Sequence, residues 1–138
     1  MLPNSYGSPI ALEDAKKAAA PAVAEARKNN WLMAVAIVDP AGHLVYFEKM
    51  DGTQIGSVTV AIAKARSAAL FKRSTKTFQD TLAGGGEGLR VLKLENAVPV
   101  EGGLPLIADG KIVGAIGLSG GTSQQDGQCA QAGVDALK

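Results

Sequence analysis

The fold is decided by residues 101–133, whose sequence is EGGLPLIADGKIVGAIGLSGGTSQQDGQCAQAG. Within it, Asp109-Gly110 lies between two apolar runs and suits a two-residue turn with positive φ. We therefore predict an antiparallel hairpin that pairs residues 104–108 with residues 111–118. Gly120-Gly121 ends the second strand, and a final helix is expected to follow.

The first part of the chain predicts a helix and another hairpin. Apolar residues recur at helical spacing through residues 12–28, with charged residues on the remaining face. Residues 32–38 form a continuous apolar run, residues 39–42 have the composition of a turn, and residues 43–48 alternate as a return strand.

The middle of the chain predicts helices. Ser57 is a suitable N-cap for a helix that reaches about Phe71, and residues 74–96 predict shorter helical pieces around a flexible glycine-rich loop at 84–88. Because the strands arrive as tight hairpins, the element order favours an α+β fold, an antiparallel sheet covered by helices, over a doubly wound parallel sheet.

Composition limits the classes of function. The chain has 138 residues, which fits one domain spanning 1–138, and its formal net charge is +1. Acidic and basic residues are mixed, so neither a nucleic acid nor a membrane surface is an expected partner. The single cysteine, Cys129, excludes an internal disulfide. The first residues lack the pattern of a signal peptide, so we expect a cytoplasmic protein.

One motif suggests a nucleophile. Residues 117–121, GLSGG, match the pattern G-x-S-x-G, in which Ser119 would attack a carbonyl. That chemistry needs a downstream histidine, and the chain's only histidine is His43, far upstream. We therefore favour a structural interpretation, in which the glycines permit close backbone approach and a tight turn.

The start of the last helix offers a second possible site. Gly120, Gly121, Thr122 and Ser123 could present free backbone N–H groups there, and helix amino ends favour anions such as a carboxylate or phosphate. The alternative, which we weigh more heavily, is that Thr122 or Ser123 caps its own helix.

Lys64 is the charged residue of most interest. The predicted helix that carries it is apolar nearly all round, so this side chain must extend to solvent, pair with a carboxylate, or point into a polar pocket. Glu101, Asp126 and Asp39 are the carboxylates that could pair with it. Lys64 and Asp126 are the candidates for any acid–base catalysis.

No motif of metal-site spacing occurs in the sequence. There is no His-x-x-x-His and no Cys-x-x-Cys, so a metal site built by one chain is not predicted. His43, Met50, Tyr46 and Cys129 are the side chains able to coordinate a metal such as heme iron, but they form no cluster in the sequence. Cys129 is expected to be a small buried hydrophobe.

Four blocks of sequence together resemble the GlcG/HbpS-like family, which also forms the carboxy-terminal part of PduO-type corrinoid adenosyltransferases. The blocks are VDPAGHLVYFEKMDG at 38–52, IAKARSAA at 62–69, GGLPLIADGKIVGAIGLSGG at 102–121 and QQDGQCAQAG at 124–133. The resemblance covers about residues 12–137. It implies a profilin-like fold, with a five-stranded antiparallel sheet and helices on both faces, and a dimer or higher homo-oligomer.

The resemblance also implies a function and a site. Some members bind heme, so the chain is expected to bind a small molecule, with heme or a related tetrapyrrole as the candidate ligand. His43 would then be the candidate heme ligand, with Thr53 or Thr122 as a fallback. The alternative is a small cofactor-independent enzyme or accessory protein of glycolate, diol or aromatic catabolism. The ligand-binding candidates combine the recurring motif positions with the start of the last helix: Asp51, Lys64, Glu101, Gly102, Gly103, Ser119, Gly120, Gly121, Thr122 and Asp126.

Overall fold

The computed structural model describes residues 4–137. Four α-helices and four strands form there, with a 3-10 helix between α3 and β3. Their bounds are α1 Leu12–Lys28, β1 Ala34–Val38, β2 Leu44–Lys49, α2 Ser57–Phe71, α3 Thr75–Ala83, the 3-10 helix Gly86–Lys93, β3 Gly103–Ala108, β4 Lys111–Ser119 and α4 Ser123–Asp135.

The sheet is antiparallel with the strand order β2-β1-β4-β3. Both predicted hairpins are present, and β4 pairs with β1 to join them in the centre. Asp109 and Gly110 both have positive φ, 50° and 75°, as the two-residue turn requires. The α+β prediction is therefore confirmed.

Helices cover both faces of the sheet, and the residues packed between helix and sheet differ from one face to the other. Alternate residues of β1 point to opposite faces. Val35 and Ile37 pack in one core cluster with α1 and α4, whereas Ala34 and Ala36 pack in a second cluster against α2. The α2 side is built almost wholly from alanine, so the helix lies very close to the sheet.

The expected fifth strand is not formed among residues 4–137, and that prediction is wrong. The segment before α1 makes a single parallel bridge, Tyr6 to Ile112, beside β4 where β1 has ended. The Gly7 amide donates to the Ile112 carbonyl, and the Ile112 amide donates to Ser5. Pro9 follows, and because proline has no N–H the regular ladder breaks there, with one further bond from the Ile10 amide to the Val113 carbonyl.

Two local predictions in the middle of the chain also need correction. The N-cap of α2 is Gly56, not Ser57, and the Ser57 side chain is buried. The predicted flexible loop at 84–88 is shorter than expected, because the 3-10 helix already begins at Gly86. A side chain at Gly88 would collide with the Thr81 carbonyl, so this glycine allows the 3-10 helix to pack on α3.

No helix in the described part of the chain combines the length and the apolar character that crossing a membrane requires. The cytoplasmic location expected from the sequence stays a prediction.

Candidate functional site

A buried ion pair lies where α2, β4 and α4 meet. Lys64 on α2 is 1% exposed and Asp126 on α4 is 2% exposed. The Lys64 Nζ donates to Asp126 Oδ2 at 2.8 Å and to the Leu118 carbonyl at 3.0 Å. The Gly121 amide donates to the other carboxylate oxygen, Oδ1, at 2.9 Å. Of the three carboxylates considered from the sequence, Asp126 is therefore the partner of Lys64.

Two opposing effects act on the Asp126 carboxyl. Burial raises its pKa, because a charge loses its hydration in the protein interior. The Lys64 ammonium and the backbone amides of Gly121 and Gly120 lower its pKa, but burial is the larger effect. These few donors therefore stabilise the ionised form of the carboxylate against the effect of burial.

Glycines close this pair off from solvent. Gly102 has φ +137°, and a Cβ built there would lie 2.7 Å from the Lys64 Nζ and 2.8 Å from the Leu118 carbonyl oxygen. A Cβ at Gly103 would collide with the Lys64 backbone. The Gly103 amide donates to Thr75 Oγ1 at 2.9 Å, which fixes this cover to the start of α3. The motif Gly102-Gly103 thus lets backbone lie directly over a lysine.

Ser119 belongs to a hydroxyl chain, not to a catalytic triad. Its Oγ donates to Ser57 Oγ at 3.1 Å, and Gln54 Nε2 donates to the same Ser57 oxygen at 2.9 Å. His43 lies at the opposite end of β1, since Ala34 pairs with Ser119 and Val38 pairs with Leu44. That separation is about 13 Å along the strand. The structural interpretation of GLSGG agrees with this geometry.

A groove opens beside the ion pair at the start of α4. Its volume is about 380 Å³, and its floor is the backbone of Gly120 and Gly121. None of its lining residues within 4–137 carries a charged side chain. The other lining residues are Asn30, Trp31, Leu32, Gly52, Gln54 and Gln125.

The groove walls combine apolar surface with amide groups. Leu32 is half exposed, and Trp31, the only tryptophan of the chain, is partly exposed beside it. Gln54 uses its Nε2 on Ser57, and Gln125 uses its Oε1 on the Thr122 amide. The remaining atoms of these two amides, an acceptor on Gln54 and donors on Gln125, are free for a ligand.

The start of α4 is less open to anions than the sequence suggested. Thr122 Oγ1 accepts from the Gln125 amide, and the Gln125 side chain accepts in return from the Thr122 amide. The Gly121 amide is bound to Asp126. The prediction that Thr122 caps its own helix is confirmed, and the backbone N–H groups of Gly121 and Thr122 are not free for an anion.

The structure brings together only part of the predicted site. Lys64, Gly102, Gly120, Gly121 and Asp126 are in contact or adjacent, with Gly103 and Ser119 beside them.

Two predicted acidic residues, Glu101 and Asp51, do not line the groove, and three residues that do line it were not predicted. The Glu101 side chain lies against Gly127 of α4 and is half buried, whereas Asp51 is exposed on the turn after β2. Sequence reasoning missed Trp31, Gln54 and Gln125. Only the rarity of tryptophan in this chain could have singled out Trp31.

The donor set does not fit a heme whose iron is held by a side chain of this groove. The lining contributed by the described residues contains no His, Cys, Met or Tyr, the usual iron ligands. His43, with 76% of its side chain exposed, lies at the far end of β1. Thr53 Oγ1 is buried and donates to the Met33 carbonyl. Among residues 4–137, no three His, Cys, Asp or Glu side chains are grouped to hold a metal ion.

Cys129 is inert in this arrangement. Burial raises the pKa of its thiol to about 12, with smaller contributions from the charges of Glu25 and Asp126. The thiol packs in the core between α1, α4 and the sheet, as the sequence predicted.

Residues 10–135 match the family described as Haem degrading protein HbpS-like. This chain belongs to the HbpS-like family. It is similar to Protein GlcG of Escherichia coli K12, with 37% identity over 95 residues, 69% of each chain. It is also similar to the crystal structure of a double mutant of HbpS from Streptomyces reticuli, with 30% identity, a TM-score of 0.87, and coverage of 97% of this chain and 90% of that one.

A second similar structure contains a ligand. The crystal structure of a PduOC:heme complex is 28% identical to this chain, with a TM-score of 0.84, and the match covers 94% of this chain and 96% of that one. Heme binding is therefore a property of at least one relative with the same fold over nearly the whole chain.

Proposed function

We propose that this protein binds a planar, largely apolar small molecule in the groove at the start of α4. Heme or a related tetrapyrrole is the first ligand to test, because a structural relative is a heme complex. The observation that carries the proposal is an uncharged groove lined both by the partly exposed Trp31 and by the backbone of Gly120 and Gly121. An indole face stacks on a flat ligand, and glycine lets that ligand approach the backbone closely.

The chemistry of the lining restricts how a ligand is held. Because no charged side chain lines the groove, the part of the ligand that enters it is uncharged, and carboxylates of the ligand stay outside. The free amide atoms of Gln54 and Gln125 supply hydrogen bonds at the edge. Iron ligation by a groove side chain is not part of the proposal.

Titration with hemin tests this proposal. We expect a saturable shift of the Soret band with wild-type protein, and an affinity about tenfold lower for Trp31→Leu because stacking is lost. His43→Ala is the matched control and should change the affinity less than about twofold, since His43 lies outside the groove. A spectrum identical to that of free hemin would refute the proposal, as would a binding loss in His43→Ala alone.

A catalytic role for Lys64 and Asp126 in a catabolic enzyme receives no support from the geometry. Both side chains are almost wholly buried, and each is bound to the other and to backbone groups. A substrate would have to displace Gly102 to reach them. An accessory role without turnover stays open as the second function.

Self-association accompanies the proposed binding function. Ile55 is 87% exposed, and three leucines at the end of the 3-10 helix, Leu89, Leu92 and Leu94, are also exposed. Isolated apolar side chains on a surface are ordinary, but Leu89 and Leu92 lie three residues apart and so share one face of the 3-10 helix, which favours a partner there. We expect native mass spectrometry at micromolar concentration to detect a dimer or larger homo-oligomer. A spectrum containing monomer alone would contradict this expectation.

A further inference from the structure

We infer that Lys64 and Asp126 are positioning residues that fix the Gly120-Gly121 backbone as the floor of the groove. The effect on ligand binding rests on the proposed function, whereas the effect on the backbone does not. Neither side chain lines the groove, so any influence on a ligand passes through the glycines.

The two side chains hold the turn between β4 and α4 at three points. The Lys64 ammonium binds the Leu118 carbonyl at one end of the turn and Asp126 at the other. Within the turn, the second oxygen of Asp126 holds the Gly121 amide. Residues 119–125 are therefore enclosed by bonds made by the two members of one ion pair, in addition to the capping box between Thr122 and Gln125.

The position of this turn determines the shape of the groove. A Cβ at Gly120 would collide with the Leu32 carbonyl, which shows how closely the floor lies against the wall that carries Trp31. A Cβ at Gly121 would lie 2.5 Å from Gln125 Oε1 and 3.0 Å from the Met33 Cε. With so little clearance, movement of Gly121 changes the distance between the floor and both walls.

An ion pair forms hydrogen bonds of fixed direction, which apolar packing does not. Replacing a buried pair by apolar residues of similar size is often neutral for stability. Such a replacement removes the oriented hydrogen bonds, however, and leaves the Gly121 amide without its acceptor. A role in positioning can therefore be separated from a role in stability.

The double variant Lys64→Met/Asp126→Leu tests the inference by amide hydrogen exchange. We expect the folded variant to exchange the Gly121 amide about tenfold faster than wild type, and the indole N–H resonance of Trp31 to shift. Thr75→Val is the matched control, because it removes the buried bond to the Gly103 amide without touching the turn. It should leave Gly121 exchange unchanged once global stability is taken into account.

Asp126→Asn serves if the double variant does not fold. An asparagine offers one acceptor oxygen and one NH2 group in place of the two carboxylate oxygens. The charged Lys64 ammonium is the stronger donor, so the oxygen should face Lys64 and leave the Gly121 amide opposite an NH2 group. We again expect faster exchange at Gly121. Wild-type exchange at Gly121 in a folded variant of either kind would overturn the inference.

Hemin titration of the same folded variants separates the two proposals. If wild type binds hemin and the double variant binds with equal affinity, positioning of the groove is overturned. If wild type binds no hemin while Gly121 is released in the variants, the proposed function fails and the positioning of the turn is supported.

Discussion

Lys64→Met is expected to destabilise the folded protein by about 4 kcal/mol, because it leaves a buried carboxylate without its cation. Asp126 keeps only backbone amides as partners once the ammonium is removed. Burial then favours its protonated form more strongly than in wild type. Urea denaturation at neutral pH, followed by circular dichroism, measures the change.

Lys76→Met is the matched control for this substitution. Lys76 also pairs with an aspartate, Asp80, at 2.6 Å, but both side chains are more than half exposed. Water replaces the lost partner there, so we expect little change in stability. Equal loss of stability in the two variants would show that burial does not distinguish these pairs.

Gly117→Ala is expected to cost about 3 kcal/mol through overpacking between β4 and α2. A Cβ at this position would collide with the Ala61 carbonyl and lie 2.6 Å from the Ala65 amide nitrogen. These are backbone atoms of α2, so the helix as a whole must move away from the sheet. The midpoint of thermal unfolding reports the loss.

Gly56→Ala is the corresponding glycine control. Gly56 has φ −61°, and nothing lies within 4 Å of a Cβ built there. An alanine at such a site usually stabilises slightly, because it restricts the unfolded chain. If Gly117→Ala unfolded at the same temperature as Gly56→Ala, the close approach of α2 to β4 would be wrong.

Local signals made most of the fold predictable. The Asp109-Gly110 hairpin depends on two adjacent residues that tolerate positive φ, and α1 and α2 have the bounds expected from their apolar patterns. The fifth strand failed because it was taken from a resemblance. The local sequence opposes it, since Pro9 interrupts the ladder that Tyr6 begins.

The candidate site was predictable only in part. An apolar helix containing Lys64 signalled a buried charge. Choosing its partner required knowing that this side chain reaches Asp126 at the start of α4, 62 residues along the chain, although α2 and α4 cover opposite faces of the sheet. Asp39 was an equal candidate by sequence and instead binds the amides of its own turn, those of Ala41 and His43.

The groove was even less predictable from the sequence. It is assembled from three loops distant in the chain, which end α1, follow β2 and precede α4. Trp31 follows Asn30, whose left-handed backbone turns the chain at the end of α1. No periodicity connects such residues, so only the folded structure brings them together.

The location of bound ligand tests the central claim most directly. Ferric heme broadens the NMR signals of nearby protons, so amide spectra recorded during titration with hemin map its site on the wild-type protein. We predict that the signals of Gly52, Gly120, Gly121 and the Trp31 indole broaden first. Broadening centred on His43 at the other end of β1, with the groove signals unchanged, would contradict the account.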